Sequence, residues 1–88
     1  MSDLEYDVLE ELYFVQSFDY LKTTLSWEDD MLRDTLKILL EKEWIKCYIH
    51  PNDEIFGNEI DFETQYRKYF YLASKAGLFA HNSIDHYE

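Results

Sequence analysis

The chain has 88 residues, which is enough for one small domain with a single hydrophobic core and too few for two. Hydrophobic residues make up 47% of the sequence and aromatic residues 18%, with two Gly and one Pro, a composition typical of a folded chain. Nineteen Asp and Glu against eight Lys and Arg give a net charge of −11. The electrostatic field of this negative charge opposes binding to nucleic acid and favours a basic protein or a cation as partner.

Cysteine content and hydropathy exclude further classes of protein. Cys47 is the only cysteine, so the sequence allows neither an intrachain disulfide nor a cysteine-based metal cage. No apolar run approaches the roughly 20 residues that a membrane-spanning helix needs. The acidic N-terminus lacks the charged and then apolar pattern of a signal peptide. We therefore expect a cytoplasmic protein without a membrane segment.

The beginning of the chain predicts two helices. Ser2 and Glu5 have the spacing of a capping box, and helical periodicity predicts a first helix over about residues 3–15. Ser17 begins a second, two-turn helix over about residues 17–24. The apolar residues that recur at helical intervals are Leu4, Val8, Leu12 and Val15 in the first helix, and Phe18 and Leu21 in the second.

A third helix is predicted over about residues 27–43. Ser26 is its expected N-cap, with Asp29 as the carboxylate that returns to the cap, and the acidic residues of the first turn suit the helix dipole. Its inward stripe consists of Leu32, Leu36, Leu39 and Leu40.

At Trp44 the hydrophobic period changes from 3.6 to 2, which indicates a strand. We expect it over about residues 44–49, with Ile45, Cys47 and Ile49 on its buried face. Such alternation is typical of a strand with one face on the core and one toward solvent.

The rest of the chain predicts a long loop, a second strand and a short helix. Residues 50–65 hold the only Pro, one Gly and two Asn, and are expected to have little regular structure. Residues 66–72, YRKYFYL, are rich in β-forming aromatics and should pair with the first strand as a hairpin. Ser74 then caps a short helix over about residues 74–81.

This order of elements resembles the winged helix-turn-helix family of small transcription regulators. The segment SFDYLKTTLSWEDDMLRDTLKILLEKEWIKCY matches the family's second helix, turn at Leu25 and Ser26, third helix and entry into the wing. YFYLASKAGLFAH is similar to the second wing strand and the start of the following helix. The resemblance implies one α+β domain over residues 1–88, with three helices, a two-stranded β-hairpin with a long loop, and a short C-terminal helix.

The surfaces that touch DNA in this family are acidic in this chain. The outward face of the third helix is expected to carry three acids and one base, and residues 50–65 hold five acids and no base. The residues of that outward face are Trp27, Asp30, Asp34, Lys37, Ile38 and Glu41. Affinity for DNA comes largely from neutralising phosphates, so the DNA-reading role does not transfer to this chain. A DNA-binding regulator acting as a dimer is the alternative, and its contacts would be Arg33, Lys37, Lys46, Arg67 and Lys68.

Apolar side chains on the third helix offer a surface for a protein instead. We expect Trp27, Met31 and Ile38 along one side of the helix, next to Asp34. An apolar stripe rimmed by acids suits a partner with an apolar anchor and a basic rim. The alternative is that Met31 and Ile38 pack within the domain, against the first helix or the C-terminal segment.

Three tyrosines are expected on the outer face of the hairpin. Tyr48, Tyr69 and Tyr71 would lie opposite the inward residues, among them Phe70 and Leu72. They would line a partner surface or a contact with a second copy of the chain. The alternative is that they form cross-strand pairs that stiffen the ribbon.

Signals for catalysis and metal binding are weak. His50, His81 and His86 lie on loops or near the tail, without a Cys or Ser nucleophile at a meaningful interval. His81 and His86 with Asp85 lack the spacing of a one-face metal pair, so we expect solvated tail residues. The carboxylates of residues 50–65 lack the order of acids and Gly found in a calcium loop. We therefore expect no enzyme activity, no metal and no cofactor.

The leading hypothesis is a non-catalytic, regulatory interaction module of winged-helix fold. It would bind protein through the third helix and the hairpin, with a basic partner or a second copy of the chain as the candidates. The dimeric DNA-binding regulator remains the alternative.

Overall fold

Residues 1–84 are described by a computed structural model and form five α-helices and four β-strands. Short 3-10 helices also occur at Gly57–Glu59 and Tyr66–Lys68. Among residues 1–84, no helix combines the length and the apolar character needed to cross a membrane. The elements in chain order are α1 (Asp3–Glu11), β1 (Gln16–Ser17), α2 (Phe18–Leu25), α3 (Asp29–Glu41), β2 (Ile45–His50), β3 (Asp53–Ile55), α4 (Phe62–Gln65), β4 (Phe70–Ala73) and α5 (Lys75–Ile84).

The four strands form one antiparallel sheet in the order β1-β4-β2-β3, which confirms the α+β class. The two predicted strands do pair, as β2 with β4, but Cys47 lies opposite Tyr71 and the sheet has four strands where a two-stranded hairpin was expected. No sequence pattern predicts β1 or β3, which pair with the outer sides of β4 and β2. Helix α1 ends at Glu11 and not near residue 15, and the segment 50–65 is more regular than expected because it contains β3 and α4. Residues 66–68 form a 3-10 turn in place of the start of the second strand.

Side chains of Ser set the starts of the first two helices. The predicted capping box is present: the Ser2 hydroxyl accepts from the Glu5 amide at 3.1 Å, and the Glu5 carboxylate accepts from the Ser2 amide at 3.0 Å. The Ser17 hydroxyl caps α2 by accepting from the Tyr20 amide at 3.1 Å. The expected cap at Ser26 is wrong, because Ser26 ends α2 in the left-handed conformation with φ of 58°, and α3 begins at Asp29.

The end of α3 turns into β2 through a Schellman motif. The amide of Trp44 donates to the carbonyl of Leu39, and the amide of Glu43 donates to the carbonyl of Leu40, both at 3.0 Å. The motif requires one left-handed residue, which is usually Gly. Here that residue is Glu43, with φ of 60°. The chain therefore holds backbone strain at this corner.

Hydrogen bonds hold the start of α5 against the turn at Glu43 and Trp44, between α3 and β2. The Ser74 hydroxyl donates to the Glu43 carbonyl at 2.8 Å and accepts from the Gly77 amide at 3.1 Å. The Ser74 amide donates to the Trp44 carbonyl at 2.9 Å. A Cβ on Gly77 would lie 2.0 Å from that carbonyl oxygen. Only Gly therefore lets α5 pack so closely on the corner.

The core lies between the helices and one face of the sheet. On β4 the alternation is opposite to the expected one, because Tyr71 pairs with inward-facing Cys47 and so shares its face. Ile49, expected on the buried face, is 42% exposed because the register of β2 shifts after Tyr48. The buried apolar residues are Val8, Leu9, Leu12, Phe18, Leu21, Leu32, Leu36, Leu39, Ile45, Cys47, Ile55, Tyr66, Tyr69, Tyr71 and Ala73.

Glu5 is a buried carboxylate that joins α1 to the end of α3. Its Oε2 lies 2.6 Å from Lys42 Nζ, and that ammonium group also lies over the Trp44 ring, 4.6 Å from its centroid. Burial raises the pKa of Glu5, but the hydrogen bonds from Lys42 and Ser2 outweigh this effect. The pKa of Glu5 is therefore held below its ordinary value of 4.5.

Candidate functional site

The predicted interaction residues of α3 fall into two groups. Asp34 and Ile38 lie on the exposed face, and Ile38 is 44% exposed. Met31 is half-buried, and Trp27 packs partly against the core. The prediction that Trp27 faces outward is therefore wrong, because this residue precedes α3 and its indole covers the core cluster.

The tyrosines of the hairpin are mostly internal. Tyr71 is fully buried and donates to a backbone carbonyl at 2.8 Å, and the hydroxyl of Tyr69, which is also buried, accepts from a backbone amide at 2.9 Å. The prediction that Tyr69 and Tyr71 face a partner is wrong, because their hydroxyls are satisfied within the domain. Tyr48 is half-buried, and burial together with the charge of Glu54 raises the pKa of its hydroxyl.

Two cations on the outward side of α3 are paired with carboxylates of the same domain. Arg33 Nε lies 2.9 Å from Asp34 Oδ1, and Lys37 Nζ lies 3.5 Å from Glu63 Oε1. The four side chains are well exposed, so these pairs add little stability. They do, however, reduce the positive charge that α3 presents to a phosphate.

Arg67 is held by Asp29 at the start of α3. Arg67 Nε lies 2.8 Å from Asp29 Oδ2, and the Tyr66 hydroxyl donates to Asp29 Oδ1 at 2.7 Å. The bonds from Arg67 and Tyr66 hold the pKa of Asp29 below its ordinary value of 3.8. Of the five cations assigned to the DNA-binding alternative, only Lys46 and Lys68 take part in no salt bridge within residues 1–84.

An open groove lies beside the second half of α3. It has a volume of about 620 Å³, which is within the range of ligand-binding clefts, and it is open to solvent. Its base is formed by Ile45 and Cys47 of β2 and Ile55 of β3, one side by Leu40 of α3, and the other by residues 56–62. Apart from Ser74, the lining lies between residues 37 and 62, and the groove forms where these consecutive elements pack together.

The outer wall of the groove exposes an aromatic ring. Phe56 is 63% exposed, whereas Ile60 and Phe62 pack partly against the core. The Phe56 amide donates to the Glu59 carboxylate at 3.1 Å, and Gly57 turns the chain with φ of 50°. Aromatic side chains beside apolar concave surfaces are enriched at binding interfaces.

The rim of the groove is acidic. Glu41, Glu43 and Glu54 border it together with Lys37 and Lys46. Lys37 has its carboxylate partner, and none of the three glutamates forms a salt bridge within residues 1–84. Three carboxylates against one remaining ammonium group leave the rim with a net charge of −2.

His81 is buried, so the prediction of a solvated tail residue is wrong. Its ring stacks on Tyr6 with centroids 4.2 Å apart, and its Nδ1 lies 2.8 Å from the Tyr13 hydroxyl. Its Nε2 is buried without a hydrogen-bond partner among the described residues. His81 joins α5 to α1 and the turn that follows it. Asp85 and His86 lie outside the described residues.

The described part of the chain contains no group of three or more His, Cys, Asp or Glu side chains placed to hold a metal ion. Cys47 at the base of the groove is buried, and burial raises the pKa of its thiol to about 12. The thiol is therefore protonated at neutral pH, whereas the nucleophilic form is the thiolate. The groove offers apolar contact and surface charge as its means of recognition.

Comparison with known proteins gives no family: no family model matches the chain, and neither a curated protein nor a solved structure matches it. The winged helix-turn-helix resemblance therefore stays a prediction from the sequence.

Proposed function

We propose that this domain is a non-catalytic interaction module of winged-helix architecture that binds a protein partner through the groove beside α3. The order of α1, α2 and α3, followed by the paired strands β2 and β4 with a long connection, supports the winged-helix assignment. A regulatory role is what the resemblance to small transcription regulators adds to this proposal.

The main support for the proposal is that the cations on α3 are paired while the groove beside them is open. Arg33 and Lys37 are engaged by carboxylates of the domain, whereas the apolar groove beside Lys37 is open and has an acidic rim. A DNA backbone would have to displace these pairs against a net charge of −11. A protein with an apolar anchor and a basic rim would gain both apolar burial and charge complementarity.

Capture of proteins from a native extract tests the proposal when wild type is compared with Phe56→Ala. We expect proteins held by the wild type to be lost from Phe56→Ala, because this change removes the exposed aromatic wall of the groove. Phe79→Ala is the matched control, since Phe79 is 75% exposed on α5, outside the groove. Light scattering on the same preparation measures self-association. A strictly monomeric domain that captures no protein would contradict the proposal.

A titration with mixed-sequence duplex DNA distinguishes the DNA-binding alternative. We expect no binding even at low salt, where nonspecific attraction to phosphates is strongest. Saturable binding that weakens as salt rises, and that is reduced by Lys46→Gln and Lys68→Gln, would favour a DNA-binding regulator instead.

A further inference from the structure

We infer that the groove takes a short linear segment of a partner protein in which large apolar side chains are flanked by Lys or Arg. This inference rests on the proposed function and specifies the chemistry of the partner. It assigns the apolar side chains to the base of the groove, at Ile45, Cys47 and Ile55, and the cations to the rim.

The size and lining of the groove suit inserted side chains. Its volume of about 620 Å³ corresponds to about 20 water molecules at liquid density. Apolar groups from Leu40, Ile45, Ile55 and Phe56 line much of that space, so water there is replaced favourably by apolar atoms. Clefts of this volume hold one ligand or a few side chains. A partner that docked with the flat surface of a folded domain would leave the base of the groove unfilled.

The charge of the rim selects cations on either side of the apolar anchor. Glu41, Glu43 and Glu54 border the groove without a salt-bridge partner among residues 1–84. Glu43 also occupies a left-handed position that Gly would fill without strain. Strained residues of this kind cluster at ligand sites, and this one is an exposed Glu that lines the groove.

The same charges disfavour a second copy of the chain as the occupant. A second copy brings a net charge of −11 and an equally acidic rim. Its own basic and aromatic segment, at residues 66–70, is not presented as a linear ligand, because Tyr66 and Tyr69 are buried and Arg67 is held by Asp29. A basic segment of a different protein therefore fits the groove better.

Three short fluorescein-labelled peptides test this inference by fluorescence anisotropy. The first carries Leu and Trp anchors set among Lys residues, the second has the same anchors with Glu in place of every Lys, and the third keeps the Lys residues but has Ser in place of every anchor. We expect the first peptide alone to bind the wild-type domain, because only it supplies both the apolar anchors and the cations.

Variants of the domain locate the binding site. We expect Phe56→Ala to weaken binding of the Lys, Leu and Trp peptide about tenfold, as truncation of an anchor contact does, and Phe79→Ala to leave it unchanged. Neutralising the rim with Glu41→Gln, Glu43→Gln and Glu54→Gln should weaken it by a similar factor. The matched control neutralises three exposed acids outside the groove, Asp7→Asn, Glu10→Gln and Asp30→Asn, and should have a much smaller effect.

Other outcomes would overturn the inference. Equal weakening by the two sets of three neutralised acids, or equal binding of the Glu peptide, would show that the rim selects nothing. Self-association that Phe56→Ala abolishes would make a second copy the occupant. If no peptide binds while Phe56→Ala still loses captured proteins, the linear segment is wrong and the proposed function stands. If no protein depends on Phe56 either, both fail.

Discussion

Replacing Glu43 with Gly should stabilise the domain while weakening its binding of a basic segment. Glu43 is the left-handed residue of the Schellman motif, with φ of 60°, and a residue with a Cβ costs about 1–2 kcal/mol in this conformation. Gly also gives the unfolded chain more freedom, which lowers stability by about 0.4–1 kcal/mol. The difference predicts a gain of up to about 1.6 kcal/mol in the free energy of unfolding, with a midpoint of about 0.8 kcal/mol, which corresponds to a rise in Tm of about 3–6 °C for a domain of this size.

Thermal and urea unfolding followed by circular dichroism measure this gain, and two variants separate its causes. Ser26→Gly relieves the other left-handed residue, with φ of 58° at the end of α2 and outside the groove, so it should give a similar gain with unchanged peptide binding. Glu43→Gln removes the carboxylate but keeps the Cβ, so it should weaken binding without raising Tm. A Glu43→Gly domain that is no more stable than wild type, when Ser26→Gly is more stable, would refute the strain argument at this corner.

Three further outcomes are expected. Gly77→Ala should lower the free energy of unfolding by about 1–3 kcal/mol in urea titrations, because its Cβ would lie 2.0 Å from the Trp44 carbonyl oxygen. An increase in the free energy of unfolding, as at an open helical position, would contradict this close packing. Lys42→Met should cost about 1–3 kcal/mol near neutral pH, because it leaves buried Glu5 without its cation. The folded-state pKa of Glu5 is lowered, so the stability that this pair contributes is complete above pH 4.5 and is lost as the pH falls through the folded-state pKa. The free energy of unfolding of the variant should therefore decrease less steeply in acid than that of the wild type. Cys47, with a thiol pKa of about 12 and its side chain buried, should react with a chromogenic disulfide only after the domain unfolds; rapid reaction of the native protein would show that the base of the groove opens.

Helices α1, α2, α3 and α5 could be predicted because their signals are local, whereas α4 lies in the expected loop. The capping box of Ser2 and Glu5, the Ser17 cap and the Leu stripe of α3 lie within a few residues of the elements they define. The start of α3 was harder, since Ser26 has the residue type of an N-cap but serves as the left-handed end of α2. Residue type alone does not distinguish the end of one helix from the start of the next when the two are so close.

The sheet depended on contacts that no short window contains. The two residues of β1 form a strand only because Gln16 and Ser17 lie beside β4, far along the chain. The face on which Tyr71 lies is set by its pairing with Cys47, and a shift of one residue in that pairing reverses every side chain of the strand. The hydroxyl of tyrosine suggests exposure, yet the same group is compatible with burial once a backbone partner is within reach.

The groove could not be predicted either, although most of its lining lies between residues 37 and 62. Leu40, Ile45, Ile55 and Phe56 come together only after α3, β2 and β3 have packed, and each separately is typical of an ordinary core or surface residue. The acidic composition did indicate the kind of partner, because charge adds over the whole surface and does not require knowledge of the fold.

The contact between Gly77 and the Trp44 carbonyl limits which substitutions this sequence can accept during evolution. The two described glycines differ in kind: a Cβ on Gly57 would meet nothing within 4 Å, so its φ of 50° is open to Asn or Asp, whereas position 77 has no room for any side chain. Ser74, three residues earlier, is tied to the same corner through both its amide and its hydroxyl. Distant relatives should therefore be recognised by a Ser and a Gly at this spacing after an aromatic strand, even where the acidic rim has been replaced and the partner has changed.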